Sequence, residues 1–178
     1  MKTIFRIIDV MNHALRHAVG AVLGVMVVTV AIQICVRFVL PRLGIVAAAP
    51  WTEELARYLL VWAVFVGAAV ATRTGALICM DSLPDALPPA LGHIVRTFAL
   101  LLTIGFFALL FWLGLRWVEF GLAETSTVMA LPMAWVYAAM PVGAAVSIVN
   151  LAALLFERRL ERREARAALD QDPAASIV

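Results

Sequence analysis

Six side chains carry most of the chemistry in one apolar stretch of the chain: Glu53, Glu54, Arg57, Tyr58, Arg73 and Asp81. Glu53 precedes Arg57 by four residues and Glu54 precedes it by three, the helical spacings at which acid and base meet in the favourable order. Thr52 stands where a cap belongs, and acids in a first turn complement the helix dipole. Exposed pairs of this kind are weak. At the centre of a bilayer a charge costs about 2.5–3.5 kcal/mol, and less near its edge. Two readings follow: a helix entry with a local ion pair, or a contact made to a partner chain.

The remaining reactive types are few. His13 and His17 are four apart, and His93 stands alone. Axial ligation of a haem needs histidines inside the bundle, and none of the three falls within a predicted span. Cys35 and Cys79 form no CxxC and have no metal spacing. They are predicted at opposite faces, which rules out a disulfide that needs Cα atoms within about 7 Å. No catalytic group, substrate-binding set, metal set or cofactor is expected. Gln33, Ser147 and Asn150, with Thr29, are the polar groups inside the first and last spans. They can hydrogen-bond between helices at about 0.6 kcal/mol each. No Asp or Glu lies away from a span end, where an ion or proton pathway usually places one. Nor is there an inverted repeat or a pair of broken helices of the kind that builds a substrate site. The pattern points to a helper subunit.

The elements that must hold these residues follow from composition. Hydrophobic residues make up 64% of the 178 and charged ones 15%, with a mean hydropathy of +0.98. Soluble domains are about 45–50% apolar and 25% charged, so the expected fold is an all-α integral membrane protein. Residues 1–18 read as an amphipathic, interfacial helix: Ile4, Ile7, Ile8, Met11 and Leu15 on one side, Arg6, Asp9, His13 and Arg16 on the other. Four spans follow, at about 19–36, 55–80, 94–115 and 132–156, with a basic tail over 157–178. A cleaved signal peptide is disfavoured, because the apolar run from Val19 to Val36 exceeds the usual core of about 7–15 residues. Pro84, Pro88 and Pro89 interrupt the second connection. Pro132 suits a first helical turn, and Pro141 should kink the last helix. Lys and Arg gather on one side: Lys2, Arg6, Arg16, Arg73, Arg96 and five in the tail, against Arg37, Arg42 and Arg116. The positive-inside rule then places both termini in the cytoplasm.

Taken in order, Glu53-Glu54, Arg57-Tyr58-Leu59, Trp62, Phe65, Gly67-Ala68-Ala69, Arg73, Gly75 and Asp81 resemble the small membrane subunit of tripartite ATP-independent periplasmic (TRAP) transporters, the DctQ-like proteins. Leu131-Pro132, Trp135, Tyr137 and Pro141 resemble that family's last span. The run from Ala76 to Asp81 departs from it, lacking a histidine and a second basic residue. The resemblance implies a multi-pass protein of the bacterial inner membrane. It implies two partners besides the lipid bilayer: a large membrane subunit that moves as an elevator, and a periplasmic substrate-binding protein. The small subunit would be the scaffold in sodium-coupled uptake of an organic acid, with no enzyme activity and no nucleic acid involved. Glu53, Glu54, Arg57, Tyr58, Arg73 and Asp81 become candidates for the subunit interface or for structural support. The alternatives from other classes are a redox, haem or quinone anchor and a self-associating four-span carrier.

Overall fold

The computed structural model describes residues 2–45, 47–74 and 88–171. Its long elements are helices: α1 (Lys2–Ile34), α2 (Pro50–Arg73), α3 (Pro89–Gly121), a single turn α4 (Ala134–Tyr137) and α5 (Ala139–Gln171). Four helical runs are long and apolar enough to cross a membrane: Phe5–Leu43, Pro50–Arg73, Ile94–Gly121 and Ala134–Glu157. The chain is therefore an all-α membrane protein with four spanning helices.

The amphipathic N-terminal turns and the first span form one helix, unbroken between Lys2 and Ile34. From Arg16 to Arg37 the axis rises roughly 31 Å, close to a hydrocarbon core of about 30 Å. The turns before Arg16 extend the helix past that length. Beyond Ile34 the chain keeps winding, through a π turn at Cys35–Val39 and a 3-10 turn at Leu40–Leu43. Pro41 has no N–H to offer the Arg37 carbonyl, and such a gap favours a change of helical pitch. Gly44 ends the run in the left-handed region, at φ 75°. The loop expected from Arg37 therefore starts later.

Pro50 takes the first position of α2, as its fixed φ and missing N–H favour. This displaces Thr52 from the capping place expected for it. Its hydroxyl lies inside the first turn and donates to the Ala49 carbonyl at 2.6 Å. The expected extension of this helix to residue 80, together with Gly75, Cys79 and Asp81, lies outside the described residues. Helix α3 is longer than expected and runs through Arg116 to Gly121.

Between α3 and α4 the chain folds back on itself. Ser126 N–H donates to the Leu131 carbonyl at 2.8 Å and Met133 N–H to the Glu124 carbonyl at 3.0 Å. Thr125 pairs with Pro132 in an isolated antiparallel bridge, so Pro132 precedes the helix it was expected to open. Ala130, at φ 51°, turns the tip. The break expected from Pro141 falls at Ala138, between α4 and α5. A proline ring crowds the carbonyl four residues back and offers it no donor, and the ladder resumes when Val142 N–H reaches Ala138 at 3.1 Å.

Helix α1 packs on α2, α2 packs on α5, and α5 also packs on α3. Small residues let the backbones approach. A methyl group at Gly143 would lie 2.7 Å from the Phe65 carbonyl oxygen, so α2 and α5 touch main chain to main chain. Ala69, Ala139 and Leu151 are fully buried, while Val28, Ile32, Phe98, Leu102 and Phe106 stay exposed on the outer faces of α1 and α3.

Candidate functional site

Helix α2 carries a polar fastener at each end. At its start Glu54 is buried. The Tyr58 hydroxyl, one turn on, donates to Glu54 Oε1 at 2.7 Å. The Met129 backbone N–H donates to Glu54 Oε2 at 2.9 Å. One carboxylate thus uses its first oxygen to hold its own helix and its second to hold the tip of the loop between α3 and α4. Met133 Sδ lies 3.4 Å from the Tyr58 hydroxyl. One turn further, the Trp62 indole N–H donates to the Trp135 carbonyl at 3.2 Å.

At the other end Arg73 is the hub. Its guanidinium forks onto Glu157 through Nη1 and Nη2, both at 2.6 Å. It also reaches Asp9 Oδ1 through Nε at 3.0 Å and Nη2 at 2.8 Å. The planar fork suits such two-point recognition. The Arg73 side chain is 13% exposed and Asp9 is 58% exposed, so the shared cation is sheltered while one carboxylate faces outward. Three helices, α1, α2 and α5, meet on this residue.

About one turn inward lies a wholly polar contact. Asn12 and Asn150 are both buried. Each Nδ2 donates to the other's Oδ1 at 2.7 Å. The second hydrogens go to the Ile8 carbonyl and the Ala69 carbonyl, each at 2.8 Å. Every N–H of the two amides is used, as burial in an apolar bundle requires. Ser147 takes a local course and donates to Gly143 in its own helix at 2.8 Å.

The structure thus divides the candidates from the sequence. Glu54, Tyr58 and Arg73 turn inward and tie the bundle together. Glu53 and Arg57 are exposed at the start of α2. Among the described residues the ion pairs shorter than 4.0 Å both involve Arg73, so the local pairs of Glu53 and Glu54 with Arg57 do not form. Asp81 lies outside the described residues. Asp9, Asn12 and Glu157 are the partners that the sequence reading missed. A signal was present: Asp9 is the lone acid among the bases of residues 1–18, and Glu157 is the first charge after the last apolar run.

His13 and His17 pair with one another, their Nε2 atoms 3.0 Å apart. Rings this close on one helix cannot take opposite faces of a haem iron. Cys35 is free and exposed. Two clefts border charged side chains. One of about 360 Å³ is bordered by Asp9, Asn12, His13, Arg16, Arg73 and Glu157. One of about 520 Å³ lies beside Arg116, whose guanidinium carbon stands 4.6 Å from the Trp112 ring centre. Chemically, the arrangement fastens helices. Glu54, Tyr58 and Arg73 of α2 are spent on cohesion, while Glu53 and Arg57 are exposed.

The family model of the DctQ component of tripartite ATP-independent periplasmic transporters matches residues 26–161, more than half of the chain. The chain is also similar to the isethionate TRAP transporter permease protein DctMQ of Oleidesulfovibrio alaskensis, 29% identical over 107 residues. That match covers 59% of this chain and 17% of the relative, so the chain spans a small part of that protein's length.

Proposed function

Because the chain belongs to the DctQ component family of tripartite ATP-independent periplasmic transporters, we propose that it is the small membrane subunit that anchors a large, substrate-carrying partner in the bacterial inner membrane. The observation that carries this is the inward use of its polar groups. Glu54, Arg73, Asn12 and Asn150 all serve contacts within the bundle, while broad apolar faces of α1 and α3 stay uncovered. A fixed scaffold needs cohesion inside and apolar area outside, for lipid and for a partner. In this reading both termini face the cytoplasm, in line with the basic residues around them. The loop at Met129 and the exposed pair Glu53 and Arg57 then face the periplasm, where a substrate-binding protein and the partner's outer rim are within reach.

The large subunit supplies the sodium and substrate sites, and the transported solute is an organic acid. Glu53 and Arg57 are the residues free to contact the partner, whereas Glu54, Tyr58 and Arg73 support the surface from within, and Asp81 belongs with the partner contacts at the cytoplasmic end. Purification of the tagged chain from its native membrane in mild detergent, followed by mass spectrometry, tests the proposal. A stoichiometric large membrane protein is the expected companion. Recovery of the chain alone, or with copies of itself, would overturn the subunit reading.

A further inference from the structure

The histidine pair on α1 does nothing for the cohesion of the bundle. His13 and His17 are both exposed. Their ring centres are 4.5 Å apart and the rings stand at 81°. Their Nε2 atoms, at 3.0 Å, face one another. The contact is a hydrogen bond between the two rings, and the i,i+4 spacing on a long helix keeps both nitrogens within reach of one ion.

We propose that His13 and His17 form a two-point chelate for a divalent transition metal of tetragonal preference, the nickel(II) and copper(II) class, at the end of α1 that docks on Arg73. Geometry selects the class. With metal–nitrogen bonds of about 2.05 Å, the 3.0 Å separation corresponds to an N–metal–N angle of about 94°. That is near the right angle of square-planar and tetragonal sites and short of the tetrahedral angle. Among the described residues no group of three or more His, Cys, Asp or Glu is placed to hold a metal, so water completes the coordination. In the neutral pair one ring donates its Nε2 hydrogen to the other. On metal binding that hydrogen moves to Nδ1 of the same ring, both Nε2 atoms become ligands, and the neutral pair releases no net proton. Both rings are exposed, which leaves room for the small turn that aims both lone pairs at the ion. Asp9 stands four residues before His13 and borders the same cleft, together with Glu157, Arg16 and Arg73, and its carboxylate is engaged by Arg73. A bound ion ties two successive turns of α1 together just past Asn12.

Copper(II) titration of the full chain, purified with a tag that contains no histidine, tests this. Electron paramagnetic resonance reads the ligands directly. The expected result is one saturable site per chain with a two-nitrogen tetragonal spectrum. Losing either ligand removes the intramolecular second step, so His13→Ala and His17→Ala should each bind at least about a hundredfold more weakly. Elution volume and helicity of each variant check that it is folded. His93→Ala should bind as the parent does. Unsaturable uptake, a one-nitrogen spectrum, or equal binding by His13→Ala, His17→Ala and the parent would overturn the proposal. So would loss of the signal in His93→Ala.

Discussion

Asn12 and Asn150 lie 138 positions apart in the chain, yet they form a closed amide pair with two bonds of 2.7 Å. The pair joins α1 to α5, and its spare hydrogen on Asn150 joins both to α2 at the Ala69 carbonyl. Inside an apolar bundle such a contact is asymmetric in its energetics. Complete, it contributes modestly, and half of it is worse than none.

Replacing one member therefore costs more than replacing both. Asn150→Leu should lower the unfolding free energy by about 1–3 kcal/mol, because the Asn12 amide is left buried without its partner. The double variant Asn12→Leu/Asn150→Leu should recover part of that loss. A double-mutant cycle on unfolding in detergent checks it, and strict additivity would show that the two amides act separately.

Arg73 should tolerate lysine poorly. Arg73→Lys keeps the charge but loses the fork that spans both oxygens of Glu157. Arg73→Ala removes the charge as well and leaves Glu157, 28% exposed, facing Asp9 without a cation between them. Thermal unfolding should rank the parent above Arg73→Lys and Arg73→Lys above Arg73→Ala. The lysine variant should lose about 1 kcal/mol, the usual worth of a hydrogen bond. Equal midpoints for both variants would mean that charge alone suffices.

Glu54→Gln tests the loop. A glutamine has one accepting oxygen where the carboxylate has two. It cannot serve the Tyr58 hydroxyl and the Met129 N–H with separate oxygens. Amide hydrogen exchange across residues 124–133 should rise, with a loss of about 1–2 kcal/mol in local opening free energy, while the inner half of α5 stays protected. Uniformly faster exchange along the chain would point to a global role.

Two glycine substitutions should move stability in opposite directions. Gly143→Ala forces the α2 and α5 backbones apart at Phe65 and should cost about 1–3 kcal/mol. Gly105→Ala meets nothing within 4 Å. It should be neutral or stabilise by up to about 1 kcal/mol, as alanine does in an open helical position. Unfolding midpoints of the two variants against the parent decide the matter.

Local pattern revealed the helices, because apolar run length, prolines and basic residues act on neighbouring positions. Arg73 and Glu54 stood out for the same reason, as charges at the ends of an apolar run. Their partners did not. Sequence spacing suggested Arg57 for Glu54, three residues on, yet Glu54 bonds Met129, 75 positions away. Arg73 reaches Asp9 and Glu157, 64 and 84 positions away. Such contacts depend on the direction in which each helix crosses and on its depth, and helical periodicity does not encode either when most faces are apolar. Asn12 was hidden within the amphipathic pattern of α1, where it read as one more polar position. The helix end at Pro50 was legible in principle, and Thr52 drew attention from it.

The two fasteners of α2 have a mechanical consequence. Glu54 and Arg73 are separated by roughly 28 Å along the helix axis, and each is bonded to a different part of the chain. A rod pinned at both ends does not slide. Shifting α2 by one turn against α5 would break the Met129 and Glu157 attachments together, and the close seam at Gly143 would resist as well. A push along α2 is therefore opposed at both of its ends at once, as on a riveted strut.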